Sequence, residues 1–189
     1  MEQYREPNKF VRILALVVFA LMLIAFLPLL GRMFGFSFLP SLGWLETSSE
    51  LAISTGIFCG SVSALVLYRR PMKDDSDGEW LKSRMLLAFG APFFGWISMS
   101  SVTVGIPFVF TTAFGANGSH EFIVEQAEGF SDRKCQRKIE LLDLPIVYNE
   151  LCGFSVEFRN SLKPGMELIV SGRSSQFGVF VSEVQAVGE

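Results

Sequence analysis

The residue types that most often carry out chemistry are scarce in this sequence. It contains one histidine, His120, and three cysteines, Cys59, Cys135 and Cys152. A structural zinc site takes about four cysteine or histidine ligands in closely spaced pairs, and no such pairs occur here. A serine hydrolase needs a histidine beside a nucleophile, often on a Gly-x-Ser-x-Gly turn, and the sequence lacks that turn. The residues therefore predict no metal site, no cofactor and no enzymatic activity.

Two of the cysteines, Cys135 and Cys152, lie in the polar last third of the chain, whereas Cys59 lies inside an apolar run. Disulfides persist outside the cytoplasm, and one across this pair would stabilise a small domain by about 3 kcal/mol in the chain-entropy model. The alternative is a pair of reduced, buried thiols. We expect the disulfide, because a domain of roughly 70 residues is near the lower size limit for an independent hydrophobic core.

Hydroxyl side chains cluster in the last apolar run, at Ser98, Ser100, Ser101 and Thr103. In a pore made by several copies such hydroxyls would line water, whereas in packed helices they bond to carbonyls of their own or a neighbouring helix. The second interpretation is favoured. Ion-coupled transport normally places an ionised residue within a span, and the apolar runs have none away from their edges.

Composition indicates which elements must hold these residues. The chain is 50% hydrophobic, and it has apolar runs at 10–31, 51–68 and 85–115, close to or above the roughly 20 residues that cross a bilayer core. We expect an α-helical membrane protein with about three transmembrane helices within residues 1–115 and a cytoplasmic loop over 69–84. The net charge of -3, without a basic stripe, argues against nucleic-acid binding.

Two of the three runs allow a second interpretation. The first, 10–31, follows Lys9 as a signal peptide would follow its basic residues, but it is longer than a typical signal core and lacks a suitable cleavage position. We expect a retained helix. The third, 85–115, exceeds one bilayer thickness and is interrupted by glycine and proline, so it is either one kinked span or a re-entrant pair. We expect the single kinked span.

Basic residues indicate which side of the membrane each end occupies. They precede the first run and fill the 69–84 loop, whereas Arg32 is the only basic residue in the connection over 32–50. By the positive-inside rule the N-terminus is cytoplasmic, and three crossings then place the C-terminal domain outside the cytoplasm of a bacterial inner membrane. A re-entrant third run would reverse that assignment.

The second run carries a ladder of small residues at intervals of four, formed by Ala52, Gly56, Gly60 and Ala64. Small side chains let two helix backbones approach closely in lipid. The ladder therefore predicts helix packing, either against other spans of the same chain or between copies in a homo-oligomer. The first arrangement is favoured, although the motif alone does not distinguish them.

The polar residues 120–189 have the pattern of a small β-rich domain. A short helix over 155–162, capped by Ser155, interrupts the strand pattern. Short runs rich in β-branched and aromatic residues predict strands at 121–126, 137–144, 166–172 and 177–187. Four or five strands with one helix favour an OB-like or SH3-like barrel, or a half-open sheet.

These features predict a multi-pass membrane protein that presents a small extracytoplasmic β-domain to a protein partner, as an accessory or assembly subunit or as an immunity or exclusion protein. We expect the partner to bind by strand addition at the edge strands and at one hairpin. That hairpin consists of Arg173, Ser174, Ser175, Gln176, Phe177 and Gly178. The alternative is a homo-oligomeric channel or membrane sensor assembled through the second transmembrane helix.

Overall fold

The computed structural model describes residues 9–68, 77–127, 135 and 138–187. Half of the basic residues on which the predicted orientation rests lie outside these ranges, namely Arg5, Arg69, Arg70 and Lys73. From Asp77 onward the predicted 69–84 loop is helical, because it forms the start of the third long helix.

Three long helices follow the three apolar runs of the sequence. They are α1 (Lys9–Met33), α2 (Leu42–Tyr68) and α3 (Asp77–Ser100). Among the described residues, two stretches are long and apolar enough to cross a membrane, Leu16–Met33 and Ala88–Phe114, with mean hydropathy 2.3 and 1.6. The predicted second span, 51–68, is helical as part of α2, and the count of three spans remains a prediction.

The third apolar run forms one helical path. After α3 the chain continues through a π-helical turn, Ser101–Gly105, into α4, Ile106–Phe114. Gly105 closes the turn where α1 comes near, since a β-carbon there would lie 2.8 Å from the backbone oxygen of Ile24. Helical hydrogen bonding continues through the turn instead of breaking into two helices, and the expected single kinked crossing of a membrane stays a prediction.

The chain packs as two compact units, each drawn from two separate segments. One comprises Met1–Leu27 and Ser48–Ile106, and the other comprises Pro28–Thr47 and Pro107–Glu189. The second unit contains the connection between α1 and α2, which the sequence analysis assigned to the 1–115 domain. It belongs with the sheet because it supplies a strand, β1 (Phe38–Pro40), that pairs with the last strand of the chain.

The second unit is built on a six-stranded sheet in which all neighbours are antiparallel, in the order β1-β6-β5-β2-β3-β4. The remaining strands are β2 (Ala116–Gln126), β3 (Ile139–Leu141), β4 (Glu150–Leu151), β5 (Glu167–Ser175) and β6 (Gly178–Ala186). The sheet curls into a half-barrel with β1 and β4 at its edges. The predicted half-open sheet describes it better than a closed OB-like or SH3-like barrel.

The core of this unit lies on the concave face of the sheet. Alternate residues of the strands point inward and are fully buried, among them Phe122 and Val124 on β2 and Leu168 and Val170 on β5. This period of two follows from strand geometry, because successive side chains point to opposite faces.

A short helix covers part of this core, as the sequence predicted. It is α5, Val156–Ser161, and the hydroxyl of Ser155 caps it by accepting a hydrogen bond from the amide of Phe158 at 3.1 Å. Phe154 and Phe158 stack with their ring centroids 5.4 Å apart and pack against the core.

Candidate functional site

The predicted partner contact, Arg173 to Gly178, forms the end of the β5–β6 hairpin. Ser175 pairs with Gly178 across a two-residue turn of Gln176 and Phe177. The hairpin predicted from the Gly-Arg-Ser-Ser-Gln segment is therefore present. β5 extends three residues further into that segment than predicted, because Arg173 and Ser174 pair with Asn117 and Ala116 at the start of β2.

Much of the hairpin end is occupied by contacts within its own unit. The amide of Ser41 donates to the carbonyl of Phe177 at 2.9 Å, and the Ser41 hydroxyl donates to the carbonyl of Gln176 at 2.8 Å. The ring of Phe177 packs edge-on against Trp44 and Phe110, with centroid distances of 4.8 Å in each case. The turn is therefore anchored to the start of α2 and to α4.

Ser175 is held by two further contacts. Its hydroxyl lies 2.6 Å from that of Thr111, and its carbonyl accepts a hydrogen bond from Nε2 of His120 at 2.8 Å. The single histidine of the chain thus links β2 to the hairpin by a hydrogen bond. Of the predicted contact residues, Arg173 and Gln176 keep exposed side chains.

The small-residue ladder packs inside its own chain. A β-carbon at Gly56 would lie 3.0 Å from the backbone oxygen of Gly95 on α3, and one at Gly60 would lie 3.2 Å from that of Ala91. Ala52, one turn earlier, is fully buried. Ala64, one turn later, is half-buried. The closest approach of α2 and α3 is therefore made by the two glycines of the ladder.

Three of the four hydroxyls in the cluster of the third run bond to helix carbonyls. Ser98 donates to the carbonyl of Phe94 at 2.8 Å, and Thr103 donates to that of Met99 at 3.2 Å. Ser101 lies within reach of two carbonyls, that of Ile97 on its own helix at 3.0 Å and that of Leu21 on α1 at 2.6 Å. Such bonds fit the packed-helix interpretation of these hydroxyls and not a water-lined wall.

A charged cluster that the sequence analysis missed lies at the edge of the sheet. Nη2 of Arg32, in the last turn of α1, bonds to Oε2 of Glu150 on β4 at 2.7 Å, and its Nη1 donates to the carbonyl of Val147. Nζ of Lys138 pairs with Glu150 and with Glu140 on β3, at 2.6 Å in each case. The signal in the sequence was Arg32 itself, a single basic residue on the side where the positive-inside rule disfavours one.

The cluster shifts the acidity of its members. Partial burial by itself would raise the pKa of Glu150, but the hydrogen bonds from Lys138 and Arg32 outweigh it and hold that pKa below its ordinary value. The hydrogen bonds to Glu140 and Glu150 raise the pKa of Lys138. Both groups are therefore held in their charged forms at neutral pH.

A small cavity adjoins the cluster. Its lining includes Pro28, Arg32 and Phe36 from α1 and the segment after it, and Val147 and Tyr148 from the loop before β4. Burial raises the pKa of Tyr148 to about 12. The space measures about 20 Å³, which is enough for about one water molecule and too small for an organic substrate.

The cysteine pair stands as the sequence predicted. Cys135 and Cys152 are at disulfide distance, with their Cα atoms 5.3 Å apart, and Cys59 is free and buried in α2. Cys152 directly follows β4, so the bridge fastens the strand that carries Glu150.

Among the described residues, no three histidine, cysteine, aspartate or glutamate side chains gather as a metal site would require. Comparisons with protein-family models, with curated proteins and with solved structures find no match to this chain.

Proposed function

We propose that this chain is a multi-pass membrane protein that presents its β-domain to a protein partner outside the cytoplasm. The main observation in favour of a membrane location is the apolar outer surface of the long helices. Large side chains that are more than half exposed occur on all three: Leu16, Phe19, Ile57, Phe58 and Phe89. In water such a surface would drive aggregation, whereas in lipid it is the favourable one.

The arrangement of the helix ends supports three crossings. The last residues of α1, the first residues of α2 and all but the first residue of α4 belong to the unit that contains the sheet. If the helices span the bilayer, the chain leaves the membrane after α1, enters it again with α2 and leaves it again at α4, all on one side. Such a path has an odd number of crossings. The sheet then faces the side opposite the N-terminus, as the positive-inside rule predicts from the sequence.

The disulfide supports the same orientation from independent chemistry. Cytosolic thiols are kept reduced, so a structural bridge such as Cys135–Cys152 favours an oxidising compartment. For a bacterial host that compartment is the periplasm, and the β-domain would lie on the outer face of the inner membrane.

A direct test of the orientation uses two variants that each add one cysteine to a Cys59→Ser background, in which Cys135 and Cys152 stay bridged. Lys163→Cys lies on the exposed turn before β5, and Gln3→Cys lies near the N-terminus. An impermeant maleimide applied to intact spheroplasts without reductant should label position 163 at once and position 3 only after permeabilisation. The reverse order would refute the proposed orientation.

The interaction role rests on the open strand edge of the domain. β1 covers β6 over Gly178–Phe180, and the amide of Val181 donates to the carbonyl of Ser37. From Ser182 to Ala186 no described strand pairs with that edge of β6. Such an edge offers unpaired backbone groups to an extended segment of a partner.

This edge supports the predicted strand addition better than the hairpin turn does. Ser175, Phe177 and Gly178 take part in contacts within the unit, whereas Arg173 and Gln176 stay exposed close to the covered part of β6. We propose that the partner pairs with the open half of β6. An accessory or assembly subunit and an immunity or exclusion protein both agree with such a surface.

Crosslinking in native membranes tests the interaction. A photoreactive phenylalanine analogue replaces Gln185 on the open edge, and the matched control carries it at Lys163. We expect a crosslinked protein of another sequence from position 185 and none from position 163. Equal products from both positions, or a product containing only this chain, would contradict the proposal.

The contacts within the chain weaken the case for the alternative, a homo-oligomeric channel or sensor. The residues that suggested it, Gly56 and Gly60, already contact α3 of the same chain. The hydroxyls that suggested a pore bond to helix carbonyls. A second copy would have to use another face of α2.

A further inference from the structure

Four large apolar side chains are largely exposed in two segments of the sheet-containing unit that Arg32 links. Three follow each other at the end of α1 and just after it, and the fourth lies in the loop before β4. Their exposed fractions are 83% for Met33, 79% for Phe34, 61% for Phe36 and 86% for Ile146. A surface of this kind in a small domain marks an interaction site.

Arg32 brings the two segments together across 115 residues of sequence. Its Nη1 donates to the carbonyl of Val147, the residue after Ile146, and its Nη2 pairs with Glu150 at 2.7 Å. The small cavity lies between the same two segments, because Pro28 and Phe36 line it together with Val147. The loop around residue 146 therefore lies against the last turns of α1.

Those last turns belong to a candidate membrane span. The span Leu16–Met33 includes Pro28 and Arg32. Pro28 precedes Met33 by about 8 Å along the helix axis at the usual rise. A loop that bonds to Arg32 and lines a cavity together with Pro28 thus reaches the level where head groups meet acyl chains.

The residue types around the patch fit that level. Tyrosine and arginine are enriched at the membrane interface because each joins an apolar body to a polar end. Tyr148 is mostly buried beside the cavity, and Arg32 keeps a third or more of its side chain exposed. The charge of Arg32 is met by Glu150, which lowers the cost of holding it near lipid.

We propose that Met33, Phe34, Phe36 and Ile146 form an apolar collar that inserts into the lipid boundary of the bilayer that α1 crosses. Arg32 holds the Ile146 loop in the collar. The occupant is lipid and not a protein, because the patch is continuous with the end of the span. This inference rests on the proposed membrane location of the chain.

The test places a nitrobenzoxadiazole fluorophore on one added cysteine of the full chain, in a Cys59→Ser background without reductant, so that Cys135 and Cys152 stay bridged. The chain is reconstituted in vesicles of phosphatidylethanolamine and phosphatidylglycerol. The labelled variants are Ile146→Cys in the collar, Lys163→Cys on the distant exposed turn, and Phe19→Cys in the middle of α1. Lipids with a doxyl group near the acyl carbonyl quench from the membrane, and iodide quenches from water.

We expect the label at position 146 to be quenched several-fold more by doxyl lipid than the label at 163, and several-fold less by iodide. Strong iodide quenching at 146, equal to that at 163, would overturn the collar. Protection at 146 from both quenchers would also overturn it, because a protein surface would then cover the patch.

The label at position 19 separates this result from failure of the proposed function. Doxyl quenching at 19 without doxyl quenching at 146 refutes the collar and leaves the membrane location intact. Iodide quenching at 19 refutes both. In an Arg32→Gln variant, iodide quenching at 146 should rise while quenching at 19 stays unchanged, and an unchanged value at 146 would refute the role given to Arg32.

Discussion

Gly56 on α2 and Gly95 on α3 pack backbone against backbone. A β-carbon at Gly56 would lie 3.0 Å from the carbonyl oxygen of Gly95, and one at Gly95 would lie 2.9 Å from the carbonyl oxygen of Gly56. Gly60 repeats the contact one turn further along, against Ala91. The two helices are as close as the absence of side chains permits, which is how small residues stabilise helix pairs in lipid.

Replacing Gly56 with alanine should therefore destabilise the monomer. The added methyl group meets a backbone oxygen that has little freedom to move, so the free energy of unfolding should fall by about 1 to 3 kcal/mol. Thermal denaturation in mild detergent measures the change. Gly60→Ala should have a smaller effect in the same direction.

Gly43 supplies the matched control, because it lies on the same helix and a β-carbon there would have no atom within 4 Å. Gly43→Ala should be neutral or stabilising by up to about 1 kcal/mol, since alanine restricts the unfolded chain. If Gly56→Ala left the monomer as stable as Gly43→Ala and abolished self-association, the ladder would serve contacts between copies instead.

Ser101 joins α1 to the helical path of the third run. Its hydroxyl is fully buried and lies 2.6 Å from the carbonyl of Leu21. Ser101→Ala should lower stability by about 0.6 to 2 kcal/mol, the range of hydrogen bonds between helices in membranes.

Ser98→Ala provides the comparison for Ser101→Ala. Ser98 is also buried, but its hydroxyl donates to Phe94 on its own helix at 2.8 Å. Its loss should cost less, because such a bond does not hold two helices together. Equal thermal midpoints for the two variants would argue against a bridging role for Ser101.

Glu150 should make the stability of the β-domain depend on pH in the acid range. Its pKa is lower in the folded chain than its ordinary value of 4.5, so the unfolded state takes up a proton first as pH falls. The contribution is present above about pH 4.5 and is lost as pH falls through the folded pKa. The free energy of unfolding, followed from pH 7 to pH 3, measures it.

Glu150→Gln should lower stability at pH 7 and flatten the acid part of the profile. Glu183→Gln is the control, because Glu183 is an exposed glutamate on β6 that accepts a hydrogen bond from Gln185 at 3.0 Å. In that variant, the free energy of unfolding should fall with decreasing pH as steeply as in the parent protein. A parent profile as flat as that of Glu150→Gln would show that the cluster adds no stability.

The bridge between Cys135 and Cys152 should stabilise the domain by about 3 kcal/mol, for a sequence separation of 17 in the chain-entropy model. The double serine variant should lose that amount in chemical denaturation. Alkylation followed by mass measurement, with and without reductant, reports the bridge itself. Alkylation of both cysteines in unreduced, unfolded protein would contradict it.

Local patterns were sufficient for much of this fold. The apolar runs predicted the long helices, because a helix in lipid needs an apolar residue at almost every position. Ser155 predicted the start of α5, since a hydroxyl at that position satisfies a free amide of the first turn. Alternation predicted strands within β2, β5 and β6, and the two cysteines in the polar domain predicted their own pairing.

The partner of each local element was beyond the reach of the sequence. The ladder predicted close packing, but only tertiary structure decided that Gly56 meets Gly95. The hairpin was predicted, but the contacts of its turn with Ser41 and Phe110, which leave Gln176 exposed, were not. β1 has three residues, too few for a visible period, and it forms because β6 supplies its hydrogen bonds.

Arg32 shows most clearly which features the sequence determined and which only the tertiary structure did. The sequence alone determined that a basic residue stands at the end of an apolar run, which is typical of the edge of a candidate membrane span. The fold decided that this residue pairs with Glu150, 118 residues away, and holds the loop of Ile146 beside α1. Helix and strand formation depend on near neighbours and their periodicity, whereas such a pair depends on how the chain closes over a long loop, which no local pattern encodes.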